Sequence, residues 1–201
     1  MRKRKNKSRV EQAGSQVGLQ IGNQIELKIE SLNSSGQGVA HYEGLTVFVE
    51  AAVPGDYLVA QILERRSRYA VADIERLISP SADRVDAACA VFGRCGGCSL
   101  QSMSYPAQLR EKREQVIAAL TRIGGFAAAD LETLVQPVLG MKDPWHYRAK
   151  VQYPVSGTTQ APLIGFYAPR SHEVVEHSEC VIEHPVADTV RQVIKKHCIQ
   201  H

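Results

Sequence analysis

Three cysteines in the run Cys89-Ala90-Val91-Phe92-Gly93-Arg94-Cys95-Gly96-Gly97-Cys98, with a fourth thiol far downstream at Cys180, have the residue type and spacing of a metal site. Thiolates bind soft metals tightly, a CxxC pair can set two sulfurs on one centre, and Gly96 and Gly97 let the backbone turn closely around it. Four thiolates can hold either a four-iron cluster or a single zinc ion. His172, His177 and His184 flank Cys180, so a zinc site of three cysteines and one histidine is also open. A disulfide framework fits less well. The five cysteines are an odd number, and no apolar segment of signal-peptide type follows the basic N-terminus. A thioredoxin-like pair at Cys95 and Cys98 lacks the strand before it and the long helix directly after it. Cys198 has no ligand spacing.

The elements around these cysteines divide the chain. Residues 1–19 form a basic arm: Arg2, Lys3, Arg4, Lys5, Lys7 and Arg9 all precede the first acid, Glu11, and without them 18 bases face 21 acids. The net charge of +3 therefore resides in the arm, and any affinity for a polyanion must come from it and from local patches. Residues 20–80 read as β structure. Ile25-Glu26-Leu27-Lys28-Ile29 alternates strictly, and turn signals at residues 33–38, 43–44 and 53–56 separate further short apolar runs. Five short strands in under about sixty residues predict a small OB-like barrel. Such barrels bind single-stranded nucleic acid through basic and aromatic side chains, which makes Arg65, Arg66 and Arg68, beside Tyr69, candidate RNA contacts together with Arg2, Lys3, Arg4 and Lys5.

Residues 81–201 carry the cysteines. A helix is predicted from Tyr105-Pro106 to the Gly124-Gly125 pair, with Leu109, Val116, Ile117, Leu120 and Ile123 as a core-facing stripe. A strand over residues 146–155, a turn at Ser156-Gly157 and further strands near residues 163–167 and 173–175 read as an antiparallel meander that could fold Cys180 back onto the other three thiols. A second helix opens at His184-Pro185, with Val186, Val190, Val193 and Ile194 on one face. The fold class is mainly β with α (α+β). No apolar run is long enough to cross a membrane, and with 44% hydrophobic and 22% charged residues the expectation is a cytoplasmic monomer.

Taken with the barrel and the distant Cys180, Cys95-Gly96-Gly97-Cys98-Ser99-Leu100-Gln101, Trp145-His146-Tyr147-Arg148, Ile164-Gly165-Phe166-Tyr167 and Cys180-Val181-Ile182 resemble the RNA uracil-5-methyltransferase family, most closely its bacterial 23S ribosomal RNA members, over residues 20–195. The resemblance implies an N-terminal TRAM barrel that contacts ribosomal RNA, and a central domain holding a [4Fe-4S] cluster through Cys89, Cys95, Cys98 and Cys180, where the cluster shapes the RNA-binding fold. It also implies a methyltransferase domain that binds S-adenosylmethionine and supplies a nucleophilic cysteine, since uracil C5 is a poor nucleophile until C6 is attacked. Neither a cofactor glycine loop nor a plausible catalytic cysteine is present, so no catalytic residue is assigned and the expectation is a chain that binds RNA without methylating it. The contrasting expectation is a free-standing RNA-binding module with a structural zinc or a redox-sensing cluster.

Overall fold

The structure, a computed structural model, describes residues 18–200. The first half is the barrel. Strand β1 (Gln24–Lys28) alternates as its sequence demands, with Ile25 and Leu27 buried and their neighbours exposed. The chain bends at Ile29 and Glu30 and continues as β2 (Ser31–Leu32). β3 (Gly38–Tyr42), β4 (Leu45–Val49), β5 (Tyr57–Arg65) and β6 (Tyr69–Ser79) complete the set. The sheet order is β1-β5-β6-β4-β3-β2, so its two edges belong to one bent stretch of chain and the sheet closes on itself. Six strands by hydrogen bonding are thus the five expected by course. β4 and β6 pair in parallel, from Thr46 opposite Tyr69 to Val49 opposite Ala72, and every other pairing is antiparallel. Register shifts along β5 and β6 supply the curvature that two long strands need to wrap around the core. That core is filled by small and branched side chains, among them Ala40, Val47, Leu58 and Ile62.

No loose linker joins the barrel to the cysteine-bearing region. The Asp56 carboxylate is wholly buried and accepts hydrogen bonds from the backbone N–H of Val53 (2.7 Å) and Ser81 (2.9 Å) and from Arg84 (Nη2, 2.6 Å), whose guanidinium also donates to the Ala51 carbonyl. A second apolar cluster crosses the same junction, with Leu32 and Val53 of the barrel against Met103 and Ala107. Helix α1 (Tyr105–Arg122) starts with Pro106 in its first turn and is tied to the barrel where Gln115 donates to the Asn33 carbonyl.

A short helix, α2 (Ala128–Leu134), was not expected from the sequence. It packs beside α1 through Leu131, and Arg113 donates to the carbonyls of Glu132 and Val135. A second sheet contains β7 (Val155–Gly157), β8 (Pro162–Tyr167) and β9 (Val174–Glu176) in sequence order, all antiparallel. This is the expected meander with its first strand corrected. Residues 146–154 join no strand of this sheet and make an isolated bridge, Arg148 to Glu183; their backbone turns to the segment after Cys180, where the N–H groups of His146 and Arg148 bond the carbonyls of Val181 and Ile182. The turn expected at Ser156-Gly157 lies instead at residues 158–161, where Thr158 and Ala161 bond each other. Helix α3 (Pro185–Gln200) rests on β8.

The α1 stripe departs from its expected core role, and the apolar face of α3 also points outward. On α1 only Ala107 and Ile117 are buried, whereas Val116 is half exposed and Ile123 is 89% exposed. On α3 the buried residue is Arg191, and Val186, Val190, Val193 and Ile194 face outward. The polar side of α3 is drawn inward because Arg191 finds partners there: Asp188 and the carbonyls of Ser178 and Ile164.

Candidate metal centre

Cys89, Cys95, Cys98 and Cys180 line one small, predominantly apolar cavity, closed in by Val91, Phe92, Phe166 and Ile182. Local backbone turns place the first three. The N–H groups of Phe92 and Cys95 bond back to the carbonyls of Cys89 and Val91, which coils the chain between the ligand positions. The Gly96 N–H then bonds the Tyr167 carbonyl at 2.9 Å and pins this loop to the end of β8. A side chain at Gly96 would set its Cβ 2.8 Å from that carbonyl, so the approach admits only glycine. Cys180 arrives from the other direction, on the loop between β9 and α3, and Glu183 N–H bonds its carbonyl. All five cysteines of the chain are free thiols, and Cys198 does not line the cavity.

Donors are arranged around the sulfurs. The Gly97 N–H lies 3.4 Å from Cys95 Sγ, the backbone of Ile182 and Glu183 donates toward Cys180, and the Gln101 side chain bonds Cys98 while its Oε1 accepts from Cys89 N–H at 3.1 Å. Even so, burial pushes the Cys95 and Cys98 thiols up, and raises Cys180 to about 11. Buried thiols of this kind stay protonated and inert unless a cation stabilises the thiolate. A donor set of four sulfurs within an apolar wall, with N–H groups directed at them, fits a soft metal group. Donor atoms of His177, Cys180 and Glu183 also lie within 4.8 Å of one another.

Beside Cys180 lies a buried polar group that sequence reasoning missed. Glu183 is wholly buried and accepts a short hydrogen bond from Tyr153. His177, one of the three histidines open as a zinc ligand from the sequence, is only 6% exposed and stacks on Phe166. Burial, then the Arg191 charge, lowers its pKa, so its imidazole is neutral near pH 7. Arg148 sits over the Phe166 ring. The spacing His177-x2-Cys180-x2-Glu183 was the available signal. His172 and His184 are exposed.

The other candidates fall on the barrel. Arg66 and Arg68 stand exposed at the tip of the hairpin joining β5 and β6, and Arg65 is half buried at the end of β5. The hairpin is closed by Arg66 N–H to the Tyr69 carbonyl, Arg66 pairs with Glu64, and the partly exposed Tyr69 ring packs against Phe48. Arg2, Lys3, Arg4 and Lys5 lie outside the described residues. No helix among the described residues is long and apolar enough to cross a membrane.

Residues 18–74 match the family model of the TRAM domain. A protein of Halalkalibacterium halodurans named an uncharacterized RNA methyltransferase is 41% identical over 172 residues, covering 86% of this chain and 37% of its own length. One of the same description from Clostridium tetani is 39% identical over 170 residues, with 85% and 36% covered. Among solved structures, the Pyrococcus abyssi tRNA (uracil-54, C5)-methyltransferase in complex with S-adenosyl-L-homocysteine superposes with a TM-score of 0.59 at 24% identity, over 85% of this chain and 36% of that one. At that identity the likeness is one of fold. The chain spans a little over a third of the length of the curated relatives it matches.

Proposed function

On the premise that this chain belongs to the RNA methyltransferase family and carries its TRAM domain, we propose that it is the RNA-binding and iron-sulfur-binding part of an S-adenosylmethionine-dependent enzyme that methylates uracil C5 in 23S ribosomal RNA. Cys89, Cys95, Cys98 and Cys180 would hold a [4Fe-4S] cluster. The single observation that carries this reading is the convergence of four thiols from two distant segments on one apolar cavity.

The cluster's contribution would be a covalent staple between residues 89–98 and residue 180, holding the second sheet and α3 against the loop that leaves the barrel. The chain's own residues then present RNA. Arg66 and Arg68 supply phosphate contacts at the hairpin tip and Tyr69 a ring for base stacking, with the arm's Arg2, Lys3, Arg4 and Lys5 adding positive charge. Methyl transfer would belong to the remaining length that the relatives possess, and residues 1–201 alone would bind RNA without turnover. The reading is of a monomeric cytoplasmic protein, where a reducing medium keeps such thiols available to iron.

Anaerobic purification followed by iron, acid-labile sulfide and zinc analysis tests the centre, with four iron and four sulfide per chain expected, at about the stoichiometry of a four-iron cluster, and lost in Cys180→Ser. Zinc without sulfide would overturn the cluster and favour a structural zinc module. Competition between 23S ribosomal RNA and tRNA fragments for the same protein tests the substrate, and preference for tRNA would overturn the ribosomal assignment.

A further inference from the structure

The buried polar group beside the four-cysteine cavity has features of a ligand set in its own right. His177 Nε2 and Glu183 Oε1 are both buried with no hydrogen-bond partner among the described residues, and each belongs to a side chain more than nine-tenths buried. Leaving two such atoms unsatisfied is costly, and native structures rarely do so without a ligand or an ordered water. Donor atoms of His177, Cys180 and Glu183 lie within 4.8 Å of one another.

The outer partners are also those of a metal site. The His177 ring bonds the Val175 backbone, which leaves Nε2 as the free nitrogen, the arrangement usual for a ligating imidazole. Glu183 is oriented by the Tyr153 hydroxyl, which leaves Oε1 available. The neighbouring Arg191 charge is offset by Asp188, to which it is paired. Arg148, over the Phe166 ring, brings a further positive charge to the neighbourhood, and its Nη1 is likewise buried without a hydrogen-bond partner.

We propose that His177, Cys180 and Glu183 form a second, single-ion site for a divalent d-block cation of the zinc type, an alternative use of Cys180 to the four-cysteine cluster. One nitrogen, one sulfur and one carboxylate oxygen form a donor set suited to such an ion. The two modes are mutually exclusive at the sulfur. Cys180 either completes the four-thiolate set or, when no cluster is assembled, joins the residues three positions before and after it. The site would then capture zinc in the cluster-free protein and hold residues 177–183 in place. It stands on its own geometry and does not require the cluster reading to be correct.

Cobalt(II) serves as the probe, because a thiolate ligand gives it a near-ultraviolet charge-transfer band. The full chain, chelator-stripped and reduced under anaerobic conditions, is expected to bind one equivalent with that band, displaced by zinc. A Cys95→Ser/Cys98→Ser variant, which destroys the four-cysteine set, is expected to bind cobalt as the parent does. His177→Leu and Glu183→Gln are expected to weaken binding by at least about 100-fold, the upper end of what even an outer-shell partner contributes. Undiminished affinity in His177→Leu, or loss of binding in the double serine variant, would place the ion among the four cysteines and overturn the proposal. X-ray absorption on the zinc-loaded parent covers the case of a variant that fails to fold. One sulfur with nitrogen and oxygen neighbours supports the site, three or four sulfurs refute it, and a protein that takes up no metal would show that the unpartnered atoms serve only a buried water. Iron and sulfide content of the same variants separates the two readings, since His177→Leu leaves all four thiols of the cluster in place.

Discussion

Replacing Asp56 by alanine should be the most damaging single change at the junction between the barrel and the cysteine-bearing region. Its carboxylate is wholly buried and serves three clients at once: the N–H groups of Val53 and Ser81 and the guanidinium of Arg84, itself only 16% exposed. Alanine leaves the Arg84 charge without a counter-ion, its bond to the Ala51 carbonyl alone remaining, and two backbone donors without partners. Removing one member of a buried ion pair costs about 3–5 kcal/mol, and each stranded donor about 1–3 kcal/mol. The two costs overlap, because water entering to solvate Arg84 also reaches the N–H groups, so the net expectation is about 4 kcal/mol. In a chain of this length that lowers Tm by about 8–16 °C, at roughly 2–4 °C per kcal/mol. Urea unfolding of chelator-stripped, reduced protein, followed by circular dichroism, isolates the effect from any metal contribution. Adding Arg84→Met should restore part of the loss, since the stranded charge is gone while the two N–H groups remain unsatisfied. A loss below about 1 kcal/mol, the value of an exposed pair, would refute the claim that this carboxylate organises the junction.

Gly96→Ala should detach the CxxC loop from β8, because its Cβ meets the Tyr167 carbonyl at 2.8 Å; a cost of about 1–3 kcal/mol and reduced iron retention on gel filtration are expected, and full retention would count against the role given to that contact. The double variant Arg66→Ala/Arg68→Ala should reduce the slope of log affinity against log salt for single-stranded RNA by about 1.4, at roughly 0.7 per phosphate contact, with an unchanged slope excluding the hairpin tip. Removing residues 1–10 tests the arm by the same measurement. Cys180, raised from 9.0 to about 11, binds its proton more tightly in the folded protein than in the unfolded chain. Its contribution to stability is therefore complete below pH 9 and is lost as pH rises toward 11, so thermal melts of the metal-free protein should fall across that window and Cys180→Ser should fall less.

The barrel was legible because its signal is local. Alternation in β1 and the turn residues at 33–38, 43–44 and 53–56 are satisfied by neighbours close in sequence, and the Arg66-Ser67-Arg68 tip falls between β5 and β6 as expected. Residues 146–154 illustrate where such reasoning fails. Val151 and Tyr153 favour extended structure, but nothing local reveals that the backbone of His146 and Arg148 bonds the distant carbonyls of Val181 and Ile182 instead of a strand of the sheet. The short α2 had a readable signal in Ala127, Ala128 and Ala129, good helix formers placed just after the Gly124-Gly125 break. The α3 stripe shows a different limit. Val186, Val190 and Val193 share a face as periodicity predicts, yet the buried side is chosen by the carbonyls of Ser178 and Ile164, which the Arg191 guanidinium can satisfy and a valine cannot.

The same contrast runs through the candidate centre. Cysteine is rare enough that spacing singled out Cys89, Cys95 and Cys98, the family resemblance added Cys180, and the fold gathers all four around one cavity. Glu183 and Tyr153 carried no comparable mark, because acids and tyrosines are common and most are solvated. What gives Glu183 chemical meaning is burial, which removes the water that would otherwise satisfy it. Its partners, Tyr153 and the bridge to Arg148, come from residues about 30 positions earlier in the chain. Arg148 in turn belongs to the segment that failed to become a strand. Had residues 146–154 paired along a sheet edge, alternate side chains would have pointed away from Cys180. The irregular path lets Arg148 and Tyr153 both reach the loop that carries His177, Cys180 and Glu183, so the loss of a strand and the gain of a buried polar site are consequences of the same packing.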